Sequence, residues 1–319
     1  MAVTMAPEAD LLDDFVPTAR LTDKARPAPG WREELRRIPN ARNAISVASC
    51  WVQTLAIIWV AVWWNHPVGW VLAFLLMGRA HAQFAALMHE AAHRLLFSNK
   101  KVNDWVGRWL LGYPSFTPID LYRRGHMAHH REEFGPEEPD IPLYRGYPIP
   151  RDSFRRKLWR DATGRTGWKL FKNLLRGAKA PAPAGTQARR IIGVQLVLIA
   201  ASIALGHPWV YWLLWFVPYL TVWRVINRLR SIAEHGGMKQ SKDRRETTHS
   251  VRQHWPARFM MVPFHIGWHL AHHVDSGVPM KHLPRYHAEL VRSRYVTDAL
   301  EYGSYPLLWR KLSSGEKPA

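Results

Sequence analysis

Four apolar runs, arranged as two pairs, set the plan of this chain. The first extends from Ala44 to Trp64, and its 21 residues reach about 30 Å as a helix, the thickness of a bilayer's hydrocarbon core. Asn65-His66-Pro67 makes a very short turn, and a second run begins at Val68. Arg79 and His81 interrupt it, and His81 is an intramembrane polar residue and so a functional candidate by default. The second half repeats the plan: Ile191 to Leu205 is apolar, Gly206-His207-Pro208 turns, and Trp209 to Trp223 is apolar again. The Ile191 run is short for a span and needs a tilt or an extended start. Pro67 to His89 covers roughly 33 Å of helix and Pro208 to His235 roughly 40 Å, so both histidines emerge just past the membrane.

Charge gives the runs a direction. The two turns hold no Lys or Arg, whereas the N-terminal arm, the central segment and the C-terminal segment are rich in both. Basic loops stay in the cytoplasm. The pattern therefore predicts an all-α protein with four transmembrane helices, both termini inside and a cytosolic helical cap, in what is expected to be a bacterial cytoplasmic membrane. Residues 1–30 lack the apolar core of a signal peptide and read as a flexible, solvated arm. We divide the chain into an arm (1–43), a catalytic region (44–295) and a tail (296–319), with a helix expected near His287 to Leu300.

The central segment, Arg94 to Arg190, is too long for a plain connector. Trp105 to Leu111 is predicted to lie along the interface as an amphipathic helix. An acidic, proline-broken stretch follows at Glu132 to Pro142. Arg151 to Lys179 is basic with interleaved aromatics and reads as a surface helix, and residues 180–185 read as a linker. The formal charge of +19 admits nucleic acid, an anionic membrane or an acidic protein as partner. Seventeen tryptophans favour the membrane, since indoles collect at the lipid boundary, and nothing resembles a base-reading motif, so nucleic acid is excluded. The only cysteine, Cys50, lies in an apolar run, which excludes a disulfide and argues against a thiolate metal site.

Histidine carries the candidate chemistry. His89-Glu90-Ala91-Ala92-His93, His126-Met127-Ala128-His129-His130 and His269-Leu270-Ala271-His272-His273 each place imidazoles three or four residues apart, on one face of a helix. Each follows or precedes a membrane-like segment, and a lone His235 joins them after the last apolar run. With His265 as a possible tenth, the candidate donors are His89, His93, His126, His129, His130, His235, His269, His272 and His273. A structural zinc takes four ligands, so nine imidazoles fit two ions with room left for water or an oxygen species. Redox-inert zinc would waste such a site, and two iron ions are the better expectation. Glu90, Asp140, Glu234 and Asp275 are candidates to fix imidazole tautomers. His66, His207, His249, His254, His282 and His287 read as surface residues.

These motifs carry a family resemblance. His89 to Phe97 followed by Asn103-Asp104-Trp105-Val106-Gly107 resembles the first box of the integral-membrane fatty acid desaturase family. His126 to His130 resembles the second, and His269 to His273, with Gly277-Val278-Pro279 and Leu283-Pro284-Arg285-Tyr286-His287, the third. The likeness covers roughly residues 44–295. It implies four spans, a cytosolic di-iron centre held by histidines, dioxygen as co-substrate and hydrogen removal from a lipid-embedded chain. Two departures stand out: Ser231 occupies the place of an Asn that stearoyl-type members have one turn before the lone histidine, and His265 sits one turn before the third box.

The expected function is an oxygen-dependent desaturase of an acyl chain. A hydroxylase of a fatty acyl, carotenoid or sphingolipid chain is the alternative on the same scaffold, and a non-enzymatic membrane metal carrier is a third reading. The chain has no haem-domain signature, no dinucleotide fingerprint and no iron–sulfur cysteine set, so electrons are expected from a separate carrier, a ferredoxin with its reductase. Arg123, Arg124, Arg151, Arg155, Arg156, Lys157 and Arg160 form the predicted docking face.

Overall fold

The computed structural model describes residues 4–13, 15–136 and 138–315, and among them helix is the rule. Helix α1 (Pro29–Leu35) opens on a proline, where the missing N–H costs nothing. Helices α2 (Asn40–Trp64) and α3 (Pro67–Ala92) follow, the second again starting on its proline while the His66 ring accepts from the Val68 N–H at 3.2 Å. Next come α4 (Lys100–Val106), a π-helical turn at Gly107–Gly112, α5 (Ile119–Arg131), α6 (Ile141–Tyr144), α7 (Arg151–Ala162), α8 (Arg165–Gly177) and α9 (Ala184–Ala204). A second π-helical turn, Tyr211–Phe216, leads into α10 (Val217–Leu220) and α11 (Val222–His235). Strand β1 (Ser250–Val251), α12 (Trp255–Met260), α13 (His269–Val274), α14 (Leu283–Arg292), β2 (Glu301–Tyr302) and α15 (Tyr305–Leu312) complete the order, with β1 and β2 parallel.

Contacts divide the chain into two compact units. The apolar unit comprises Asn40–Arg123 and Arg156–Asn227, and the histidine unit comprises Met1–Pro39, Arg124–Arg155 and Arg228–Ala319.

Among the described residues three stretches are long and apolar enough to cross a membrane: Pro29–Trp64, Pro67–Ala92 and Ala184–Ala204. The most apolar window of α3 is 67% buried, against 28% for the first stretch and 22% for α9, so α3 is the inner helix and the others face outward. Small residues allow this. A Cβ on Gly78 would stand 2.2 Å from Val222 Cγ1, so α3 and the start of α11 touch through a missing side chain. Outward residues such as Val52, Leu55, Trp59, Leu196 and Val197 are exposed, an apolar surface that needs lipid around it. The extended start expected for the short third run exists: α9 begins seven residues before Ile191.

The fourth run differs from a plain span. Pro218 cannot donate to the preceding turn, the helix widens to a π-turn just before it, and Thr221 kinks at φ −119°, ψ −84°. The Trp215 carbonyl in that widened turn accepts from His81 Nε2 at 3.0 Å. His81 is therefore a packing residue that ties α3 to the irregular segment. The predicted interfacial helix at Trp105–Leu111 is divided between α4 and the first π-turn, and the basic stretch forms two helices, α7 and α8, broken at Gly164 with φ +76°.

The histidine unit corrects two expectations. The arm is no free chain: Leu21, Ala25 and Leu35 are buried, and the Tyr286 hydroxyl donates to the Ala25 carbonyl at 2.8 Å. His249 is not on the surface but buried, with its Nε2 donating to the Gly236 carbonyl at 2.7 Å. The helix expected near His287 is α14, which starts earlier on Leu283-Pro284 and stops at Arg292.

Candidate metal centre

Three short elements of the histidine unit carry the imidazoles. Helix α5 presents His126, His129 and His130 from one face, α13 presents His269, His272 and His273, and His235 is the last residue of α11. The start of α13 is fixed by Gln253, whose Nε2 donates to the carbonyls of Val251 and Gly267 at 2.7 and 2.9 Å. Gly267 leaves room for this approach, because a Cβ there would stand 2.0 Å from Gln253 Oε1.

Two sets of ring nitrogens converge. In the first, His130 Nε2 lies 3.1 Å from His126 Nε2 and 3.0 Å from His272 Nε2. In the second, His269 Nε2 lies 3.2 Å from His235 Nε2 and 3.0 Å from His273 Nε2. His129 joins this second set, with one ligand atom within 4.8 Å of those of His235 and His273. Two nitrogens at right angles on one ion, each about 2.1 Å from it, lie about 3.0 Å apart, so the spacing suits donors shared by one metal.

Tautomers decide whether these contacts are hydrogen bonds or ligand pairs. His235 Nδ1 donates to the Thr247 carbonyl at 2.8 Å, and a carbonyl only accepts, so in the neutral ring Nε2 is a bare lone pair. His273 Nδ1 meets the Glu133 carboxylate, and His129 Nδ1 meets Glu138. Each places the donor N–H on the outer nitrogen and leaves Nε2 to face inward. Lone pairs of His235 and His273 then both point at His269 Nε2, whose single proton, if present, can serve only one of them. A cation satisfies all three. Burial holds His235, His269 and His273 well below the usual imidazole range, in the neutral form that ligates. Burial also opposes charge on His129, but Glu138 outweighs it and raises the basicity of that ring, while the Glu138 carboxyl is lowered.

Carboxylates and arginines brace the rings. Arg244 Nη1 lies 2.6 Å from Glu133 and Nη2 donates to the His130 carbonyl at 2.9 Å, so one guanidinium joins the second box to the acid behind the third. Tyr144 donates to Glu138 from the other side. Glu234 lies 2.6 Å from Arg230 and 3.5 Å from His269 Nδ1. Asp140 groups with His129 and Glu138. Asp275 instead pairs with Arg32 at 2.6 Å and accepts from the Gly277 N–H, so it holds α1 and the turn rather than an imidazole.

The first box belongs to the apolar unit. His89 is buried in the last turn of α3, His93 is its C-cap, and their ring centroids are 4.7 Å apart. Glu90 is buried beside them. His265 adopts φ +73°, tilts against Trp268 with ring centroids 5.3 Å apart and, among the described residues, joins none of the groups with metal-ligand spacing. Arg123 does not belong to a docking face: it donates to the carbonyls of Ala92 and Ala91 at 2.8 and 3.0 Å and to Asp104 at 2.6 Å, capping α3.

Glu133, Glu138 and Arg244 were not singled out by the sequence. The acidic stretch immediately after the second box was the available signal for the two glutamates. The Thr247 carbonyl leaves no signal, since any residue supplies one.

The chain matches the family described as Fatty acid desaturase over residues 61–306. It is 28% identical to a dihydrorhizobitoxine desaturase of Bradyrhizobium elkanii over 256 residues, 75% of this chain and 70% of that protein. It is 24% identical over 313 residues to an sn-1 oleoyl-lipid 12-desaturase of Picosynechococcus sp., covering 91% and 87% of the two chains. A chloroplastic omega-6 fatty acid desaturase of Glycine max is 21% identical over 311 residues, 88% of this chain and 69% of that one.

Proposed function

The chain belongs to the fatty acid desaturase family and is an oxidoreductase, and on that footing we propose that it is a di-iron, dioxygen-dependent desaturase of a lipid acyl chain. The observation that supports this reading most is the convergence of ring Nε2 atoms from the second box, the third box and His235. We take His126, His129, His130, His235, His269, His272 and His273, with His89 and His93 of the first box, as the iron ligands. His265 is left out of the set.

Bound iron supplies the power to use dioxygen against an unactivated C–H bond. Overall, a –CH2–CH2– unit, O2, two electrons and two protons give –CH=CH– and two waters. The protein's part is orientation. Glu133, Glu138 and the Thr247 carbonyl hold each outer N–H, so the rings present Nε2 inward without reorganisation. Burial excludes water from the nitrogens and keeps His235, His269 and His273 unprotonated.

Membrane placement follows the apolar helices. We propose four spans, with the kinked segment from the second π-turn into α11 as the fourth. Both termini and the centre then face the cytosol of a bacterial inner membrane, and a ferredoxin with its reductase supplies the electrons. The relatives named for oleoyl lipid support an acyl substrate. The relative named for dihydrorhizobitoxine makes a substrate outside the oleoyl lipids the second reading.

Product mass tests the reaction. Lipids of a host expressing the protein should contain acyl chains two mass units lighter than those of a host expressing His272→Ala. A gain of sixteen mass units would mean hydroxylation instead. Unchanged lipids, with turnover of an added small-molecule substrate, would favour the second reading.

A further inference from the structure

A basic hollow on the apolar unit is lined by none of the proposed iron ligands. It has a volume of about 410 Å³ and is lined by Arg94, Lys100, Lys101, Asp104, Trp105 and Arg108. Its position relative to α3 is fixed by Asn103, which is fully buried. Asn103 Nδ2 donates to the Ala91 carbonyl at 2.9 Å, and its Oδ1 accepts from the Leu96 and Phe97 N–H groups at 3.1 and 3.2 Å. Helix α4 is thereby tied to the last turn of a helix long and apolar enough to cross a bilayer. The hollow therefore lies at headgroup depth, just beyond the hydrocarbon.

Its charges are unevenly met. Arg108 is paired in two-pronged fashion with Asp120, at 2.9 Å for both contacts. Asp104 is shared between Arg94 at 3.2 Å and Arg123 at 2.6 Å. Lys100 gives one N–H to the Arg94 carbonyl at 2.7 Å and keeps two, and Lys101 is exposed. Two ammonium groups thus face the hollow with no carboxylate of their own among the described residues. Beside them Val102, Trp105 and Trp109 are 43%, 55% and 39% exposed, three and four residues apart along one stripe. An apolar indole stripe rimmed by lysines is what a helix lying in the interface displays.

We propose that this hollow binds the phosphate of an anionic phospholipid, with Trp105 set against the glycerol and upper acyl region. An anionic headgroup supplies the charge that Lys100 and Lys101 lack, whereas the ammonium of a zwitterionic headgroup is repelled by them. The depth set by Asn103 and the exposed indoles favour lipid over an acidic carrier protein. The proposal rests on α3 crossing the membrane and not on the desaturase reading, so either can fail alone.

The test is titration of the full-length protein in detergent with dioleoyl-phosphatidylglycerol or dioleoyl-phosphatidylcholine, with retained lipid counted by native mass spectrometry. The wild type should retain one phosphatidylglycerol in preference to phosphatidylcholine. Lys100→Gln with Lys101→Gln should weaken phosphatidylglycerol about 25-fold, roughly fivefold per lysine. Lys101→Gln alone, which removes no side-chain bond among the described residues, should weaken it about fivefold. Trp105→Ala should weaken both lipids alike. Equal retention of the two lipids, or wild-type retention by the double variant, overturns the proposal. A double variant that keeps phosphatidylglycerol but loses binding to a ferredoxin also overturns it, and makes the hollow a carrier-docking surface.

Discussion

Arg244 shows how the centre depends on residues that touch no ion. It holds Glu133 at 2.6 Å and the His130 carbonyl at 2.9 Å, and Glu133 in turn orients His273. Removing such a brace commonly costs 10–100-fold in metal affinity or activity. Arg244→Ala should therefore lose iron at chelator concentrations about 10-fold or more below those that strip the wild type, measured by metal analysis after dialysis. Glu133→Gln should do the same, because a neutral amide holds the His273 N–H less strongly than a carboxylate. Wild-type retention in both variants would show that the brace does no more than pack. The residues that sequence did reveal were those whose chemistry is their identity: histidine in a ligand spacing stands out in any chain. An arginine among 44 Lys and Arg, or a backbone carbonyl, does not.

At the scale of elements, the long regular helices were legible and the irregular ones were not. Apolar length read out α2, α3 and α9, because a span must pair all its backbone groups internally and so runs as helix. The fourth run has the same composition, but Pro218 and the contact between His81 and the Trp215 carbonyl break its regularity, and such effects come from packing. His249 was misread for the same reason, since nothing local marks a histidine whose partner is the Gly236 carbonyl. Helix α7 is a different case: its sequence alone displays Arg151, Arg155, Arg156, Lys157 and Arg160, with Trp159 68% exposed. We propose it as the docking helix for an acidic electron carrier. Changing Arg155, Arg156 and Lys157 to Glu should raise the ferredoxin concentration needed for half-maximal turnover and leave iron content alone. Turnover in the wild type should also fall as salt rises past about 0.1 M, where charges are screened beyond about 10 Å. Full activity under both treatments, with loss of membrane attachment, would assign the helix to lipid instead.

For the whole molecule, the two turns that lack basic residues are the segments proposed to lie outside, around Asn65 and Gly206. Single cysteines placed there, in a chain whose own Cys50 is buried, should react with an impermeant thiol reagent in intact cells. Cysteines at Ser98 and Thr186 should not, and labelling of Thr186 would break the four-span arrangement. The central claim concerns what the histidines hold. Metal analysis of active, purified protein tests it most directly. Close to two irons per chain are predicted, with turnover lost in His130→Ala and His272→Ala and retained in His254→Ala, whose ring is exposed and bonds the Gly303 carbonyl. Stoichiometric zinc in active protein, or full activity with no iron, would contradict the account.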